Sequence, residues 1–214
     1  MQDNRKYNYD LPFNENRTEY DIVISFIKSN SLVIDLGCGN GALLHRLIKE
    51  KSVSAKGLEL SPSGVEVCKA AGLDVQTGSI DQPLPFNDNT FDYAICNVTI
   101  QMVMYPEILL SEMKRIAKHQ IISFPNFAFY KNRIDLLLNG RMPQNGLFGY
   151  QWFDTGHIHQ LSIKDFELLV ECVGGLEFLE KRSVEPGNPV KNFLIKSFPN
   201  LFEQIPVFLL RKTK

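Results

Sequence analysis

The sequence predicts an α/β fold built on a doubly wound, mostly parallel sheet. Along its 214 residues, short apolar runs suited to strands covered on both faces alternate with segments of helical spacing. Three alternating glycines, Gly37, Gly39 and Gly41, stand where the first such strand hands over to a helix. An acid, Glu59, closes the second strand, about as far downstream as the carboxylate that holds a ribose diol in strand–helix–strand nucleotide folds.

From Arg17 the apolar set Tyr20, Val23, Ile24 and Ile27 recurs at helical spacing, and Asn30-Ser31 punctuates it. Leu32–Leu36 is too short for a buried helix and reads as the first strand. A helix begins near Ala42. Val53–Glu59 is then a strand and Pro62–Ala71 a helix, Leu73–Gly78 a strand followed by a Pro-rich loop, and Phe91–Cys96 a strand followed by a helix near Pro106–Ala117. A fifth strand at Gln120–Phe124, helices near Asn132–Leu138 and Ile163–Val173, and strands near Leu176–Arg182 and Ile205–Arg211 complete the chain. Right-handed crossovers between parallel strands are expected. Residues 1–16 are polar with interleaved aromatics and are expected to form an arm, leaving residues 17–214 as a single domain.

Composition narrows the function classes. Hydrophobic residues at 44% and charged residues at 22% are ordinary globular values, and no apolar run approaches the ~20 residues of a membrane helix. Lys and Arg total 23 against 24 Asp and Glu, so no overall field favours nucleic acid or an anionic membrane. Cys38, Cys68, Cys96 and Cys172 lie in apolar surroundings without a CxxC pair and are expected to be buried, reduced thiols. The polar N-terminus lacks the apolar core of a secretory signal, which predicts a cytoplasmic address.

The segment from Asp35 to Gly41 carries the most chemistry. Its spacing departs from GxGxxG, and Asp35 precedes the first glycine, where a pyrophosphate would gain nothing from negative charge. An aspartate there suits a cofactor with a cationic amino-acid end, which S-adenosylmethionine has in its sulfonium and α-ammonium. The candidate cofactor residues are Asp35, Gly37, Cys38, Gly39 and Gly41 in the loop, Glu59 and Leu60 after the second strand, Ser79 and Ile80 beside the adenine, and Asn97 after the fourth strand. Asp81 is an alternative adenine partner, and Thr99 and Gln101 are read as helix caps.

These motifs, with Phe91-Asp92-Tyr93, resemble those of class I S-adenosylmethionine-dependent methyltransferases. Ser123-Phe124-Pro125-Asn126-Phe127, Lys131-Asn132-Arg133, Gly140-Arg141-Met142-Pro143, Tyr150-Gln151-Trp152-Phe153-Asp154-Thr155, Ile158-His159, Lys164-Asp165-Phe166-Glu167 and Phe198-Pro199-Asn200-Leu201-Phe202 narrow the resemblance to the MetW family of methionine-biosynthesis proteins. It covers about residues 20–211, with Ser79 where the family usually has an aspartate and Phe127-Ala128-Phe129-Tyr130 where it has Phe-Gly-His-Trp. The resemblance implies a Rossmann-like methyltransferase fold of seven strands with the last antiparallel, with S-adenosylmethionine as cofactor and S-adenosylhomocysteine as product. It also implies homoserine O-acyltransferase as functional partner.

A small-molecule acceptor bearing oxygen or nitrogen needs a base, and the stretch from Tyr150 to His159 is dense in candidates. His159 is preferred, then Asp154; the competing reading has both fix a loop through hydrogen bonds. His157-x-His159 without a further ligand argues against a metal. Phe124-Pro125-Asn126-Phe127, Tyr130 and Trp152 suit an acceptor pocket or a docking face. Two functions follow: a small-molecule methyltransferase, or a non-catalytic cofactor-binding regulator of the acyltransferase.

Overall fold

A computed structural model describes residues 17–147, 151–153, 155–184 and 188–213; the expected arm over residues 1–16 lies outside the described residues. Among the described residues seven strands form one sheet: β1 Leu32–Leu36, β2 Ser54–Glu59, β3 Val75–Thr77, β4 Phe91–Asn97, β5 Ala117–Ser123, β6 Leu176–Ser183 and β7 Pro206–Lys212. Their order in space is β3-β2-β1-β4-β5-β7-β6. Strands β1 to β5 pair in parallel, whereas β7 runs antiparallel to both β5 and β6. The helices are α1 Thr18–Phe26, α2 Ala42–Lys51, α3 Pro62–Ala70, α4 Pro106–Ile116, α5 Tyr130–Asn139, α6 Ile163–Val173, α7 Pro189–Ser197 and α8 Pro199–Phe202. The doubly wound sheet with an antiparallel last strand, expected from the sequence, is present.

Strand alternation divides the core between the two faces. Val33, Tyr93, Ile95, Ile121 and Val207 pack with Tyr20, Val23 and Ile24 of α1 and Leu43 and Leu47 of α2. Ile34, Leu36, Ala94, Cys96 and Ile122 face the other way, onto Leu109, Leu110 and Met113 of α4 and Phe166 and Val170 of α6. Phe124, Phe166 and Phe208 lock this second face, with ring centroids 5.0–5.9 Å apart. Helix α6 starts at a capping box, in which the Asp165 N–H donates to the Ser162 hydroxyl and the Ser162 N–H donates to the Asp165 carboxylate.

Several boundaries differ from expectation. Strand β3 is shorter than Leu73–Gly78 because the Leu73 N–H is taken by the Cys68 carbonyl, closing the end of α3. Strand β5 starts at Ala117, its pairing with β4 continuing through polar Lys118 and His119. Helices α7 and α8 were not expected, since Val190, Phe193 and Phe198 are exposed and trace no core-facing stripe. Cys38, Cys68 and Cys96 are buried, but Cys172 is exposed, correcting the expectation for that thiol. No helix among the described residues is long and apolar enough to cross a membrane.

Phe208→Ala removes the ring shared by the Phe124 and Phe166 contacts. A loss of about 3–5 kcal/mol in urea unfolding is expected.

Candidate cofactor and acceptor site

The order of strands reverses between β1 and β4: the chain leaves β1 toward β2 and β3 on one side and returns to β4 on the other. Open parallel sheets form their ligand crevice at such a switch point, beyond the carboxyl ends of the strands. The glycine loop follows β1 directly. Gly37 and Gly41 have φ of +81° and +80°, a backbone region that L side chains rarely adopt. A Cβ on Gly37 would lie 2.6 Å from Thr99 Cγ2, so this glycine lets the loop after β1 meet the loop after β4. A Cβ on Gly41 would lie 2.5 Å from Leu73 and 2.8 Å from the Cys68 sulfur, so α2 starts hard against α3.

Two carboxylates close the neighbouring strands. Glu59 is buried; its Oε2 accepts the Gly39 N–H and its Oε1 the Ser61 N–H, each at 2.8 Å. It therefore ties the glycine loop to the end of β2, a duty that the sequence did not disclose. Asp35 is 2% exposed, and its Oδ1 has no hydrogen-bond partner. Burial, and then the Glu59 charge, push the Asp35 carboxyl up to about 7 against a partial opposing pull from Arg17. Arg17, at the N-terminus of α1, pairs with buried Glu19 at 2.5 Å and lies 5.4 Å from the Tyr20 ring centroid. Burial chiefly holds the Tyr20 phenol up to about 12, with the Asp35 and Glu19 charges adding.

The other predicted residues are distributed as follows. The Cys38 thiol is free and hydrogen-bonds to Cys68, whose S–H donates to the Gly39 carbonyl at 3.4 Å; the Cys68 hydrogen bond and burial push the Cys38 thiol up. Leu60 is 50% exposed on the rim. Ser79 donates to Asp81, and the second Asp81 oxygen accepts the Met104 N–H at 2.8 Å. Burial would raise the Asp81 carboxyl, but these donors outweigh it and hold it low. Ile80 packs inward, in one cluster with Leu58 and Leu84. The Asn97 side-chain oxygen accepts the Ser123 hydroxyl at 2.6 Å, joining the ends of β4 and β5. Thr99 donates to the Asn97 carbonyl rather than capping a helix.

On the acceptor side, Asp154 lies outside the described residues. His159 is half-buried with its Nε2 3.4 Å from the Met104 carbonyl. His157 is the imidazole held against the β4 rim: it lies 3.4 Å from Gln101 Nε2 and edge-on to buried Phe127. The Gln101 carbonyl accepts the N–H groups of both Ile158 and His159, strapping this segment to the rim. Trp152 and Phe153 are about 70% exposed, whereas Phe124 is in the core and Tyr130 packs with Phe129 and Phe202. The predicted aromatic group is thus not one pocket.

Arg17 and Val98 were not among the residues the sequence pointed to, and His157 entered there only beside His159 as a metal candidate. Val98 has φ of 52°, a strained value for a β-branched residue, enforced by its N–H donating to the Ser123 carbonyl and hydroxyl and its carbonyl accepting from Gln101 Nε2. Such strain is invisible in Asn97-Val98-Thr99; only the placement of the stretch after an apolar strand hinted at it.

Residues 17–210 match the family described as methionine biosynthesis protein MetW. The chain belongs to the MetW family. Among relatives, it is 37% identical over 143 residues to the bifunctional methionine biosynthesis protein MetXA/MetW of Rhodopirellula baltica, covering 62% of this chain and 23% of that protein. It is 33% identical over 93 residues to norajmaline N-methyltransferase of Rauvolfia serpentina, covering 40% of this chain and 32% of that one. This MetW chain therefore spans about a quarter to a third of the length of these two relatives. Its fold is shared with an S-adenosylmethionine-dependent methyltransferase of Mesorhizobium loti (TM-score 0.65, 14% identity, 92% of this chain and 99% of that one). It is shared equally with the [4+2]-cyclase SpnF (TM-score 0.66, 13% identity, 98% and 86%).

The raised Asp35 carboxyl carries a stability signature. Its folded value lies above the unfolded 3.8, so its favourable contribution is complete below about pH 4 and is lost as pH rises through about 7. A shift from 3.8 to about 7 corresponds to on the order of 4 kcal/mol. Asp35→Asn should therefore raise the urea midpoint of the ligand-free protein at pH 8, with the gain shrinking toward pH 4.

Proposed function

We propose that this MetW chain binds S-adenosylmethionine in the β1/β4 crevice and serves methionine biosynthesis as a methyltransferase acting on a small molecule. The observation that carries the reading is Asp35: a buried carboxyl with an unsatisfied oxygen beside a glycine-bare loop fits a cationic amino-acid group. Asp35 would take the α-ammonium, the Gly37–Gly41 backbone would lie along the nucleoside, and Glu59 would accept from the ribose diol with lone pairs left over from Gly39 and Ser61. Ser79 and Asp81 border the adenine end.

When bound, the cofactor supplies an electrophilic methyl on sulfur. The chain's part is to orient and to exclude water, and positioning of this kind lowers barriers by roughly 7–11 kcal/mol. Val98, Gln101 and Phe127 shape the rim from which an acceptor would approach. We assign the acceptor proton to His157 rather than His159, a step for which its Nε2 must exchange the Gln101 amide for the acceptor.

A second reading is favoured by the Rhodopirellula protein, in whose name MetXA and MetW share one polypeptide. In it the chain associates with homoserine O-acyltransferase and conveys cofactor occupancy to that enzyme.

Calorimetry with S-adenosylhomocysteine tests the cofactor reading. Binding should release a proton below pH 7, affinity should weaken toward tenfold per pH unit as pH falls from about 7, and Asp35→Asn should flatten that profile. A pH-independent affinity would remove Asp35 from the ammonium site. Glu59→Ala should cost more than the ~1.5–3 kcal/mol of a diol contact, because the Gly39 and Ser61 N–H groups also lose their acceptor. Transfer of labelled methyl to a panel of amines, thiols and carboxylates then separates the two readings; acceleration of the purified acyltransferase without any methylated product would favour the second.

A further inference from the structure

Helix α5 is built the wrong way round for a core helix. Among its residues Asn132 alone is buried, pinned by donating to the Phe127 and Asn145 carbonyls and accepting from the Asn145 N–H. At 3.6 residues per turn, Ile134, Leu137 and Leu138 fall on the side opposite Asn132, at the i, i+3, i+4 spacing of a helix that inserts into a groove. They are 49%, 82% and 73% exposed. Lys131 and Arg133 stand on the two flanks of this stripe, the Arg133 Nε donating to the Ala128 carbonyl at 2.6 Å, and Arg141 lies just beyond its end, against Asp135 alone as an acid on the helix. Scattered exposed leucines are ordinary; a continuous apolar stripe on a rigidly anchored helix is the signature of a docking element.

We propose that the outward stripe of α5, Ile134, Leu137 and Leu138, inserts into an apolar groove with an acidic rim on homoserine O-acyltransferase. This rests on the association reading above and adds the surface that performs it. The joining of both activities in one relative makes that enzyme the occupant: two modules kept on one chain meet at high effective concentration, and their contact face needs no protection from solvent. The two flanking cations demand carboxylates opposite them. A second copy of this chain fits worse, because a two-fold contact through α5 would bring Lys131 and Arg133 against themselves. An anionic membrane fits worse as well, since α5 is a 10-residue helix that carries Asp135 and is fixed through Asn132 to a chain of net charge −1.

The test uses the full chain and the purified acyltransferase of the same organism, followed by calorimetry and sedimentation. Leu137→Asp and Leu138→Asp should each weaken association at least about tenfold. They should leave the melting temperature and S-adenosylhomocysteine affinity of the isolated chain unchanged. Lys131→Glu with Arg141→Glu should weaken association too, and should lower its salt dependence. If the wild type binds and both leucine variants bind equally well, the α5 surface is wrong while the association reading stands. If the wild type does not bind, the association reading falls and the proposal with it. Self-association of the chain alone, or its capture by phosphatidylserine vesicles, abolished by Leu137→Asp would overturn the proposal in favour of a second copy or a membrane.

Discussion

The hydrogen bond from the Gly39 N–H to the Glu59 carboxylate joins the end of β1 to the end of β2, and the ligand edge of the sheet is organised around it. Parallel pairing sets Asp35 opposite Gly57 and Leu36 opposite Leu58, so the two chains leave the sheet side by side. A loop with three unprotected glycines would otherwise sample many backbone states. Glu59 restricts it from one side, the Leu58 carbonyl accepts the Gly37 N–H at 2.8 Å, and the Cys68 thiol holds the Gly39 carbonyl from below. The loop is thereby held in one shape by the chain itself, and a ligand bound there would not have to supply its ordering entropy.

That preorganisation places a second acid close to Glu59 in a dry setting. Two neighbouring carboxylates cannot both ionise cheaply. Glu59 has two backbone donors, whereas Asp35 has an oxygen with none, and burial followed by the Glu59 charge pushes the Asp35 carboxyl up to about 7. Under the proposed cofactor reading, stability and binding oppose each other at one atom: the arrangement that weakens the ligand-free protein above neutral pH is the one that would receive a cation. Strained, under-satisfied groups commonly cluster where function overrides folding. Val98 repeats the pattern at the end of β4, its unusual φ held by Ser123 and Gln101.

The fold was largely legible because its signals are local. Leu32–Leu36 reads as a strand from five residues, and Gly37 through Gly41 announce the turn after it. Glu59 was legible in position but not in role, since the acceptor of the Gly39 N–H lies twenty residues along the chain and becomes apparent only when β1 and β2 pair. Which of His157 and His159 packs against the rim was not legible for a related reason. Both sit in one short loop; which imidazole turns inward is decided by Gln101 and Phe127, 56 and 30 residues before His157 respectively. Helix α7 was not legible because Val190 and Phe193, both exposed, trace no core-facing stripe along it.

The sheet edge and the segment between β5 and α6 divide the work. Residues after β1, β2 and β4 line the switch point of a fold shared with both a methyltransferase and a cyclase, and a fold by itself does not specify a chemistry. Identity must therefore come from residues 124–162, which carry the Phe127–His157 contact, the Gln101 strap and the outward stripe of α5. Asn132 belongs to both halves of that segment. It anchors α5 through the Phe127 carbonyl, one residue of the ring that meets His157, so a load on the exposed stripe and the posture of the acceptor rim are joined through a single buried amide. A partner seated on α5 would act on the rim through Asn132 and Phe127, which is the shortest physical route by which association and cofactor occupancy could be linked in this molecule.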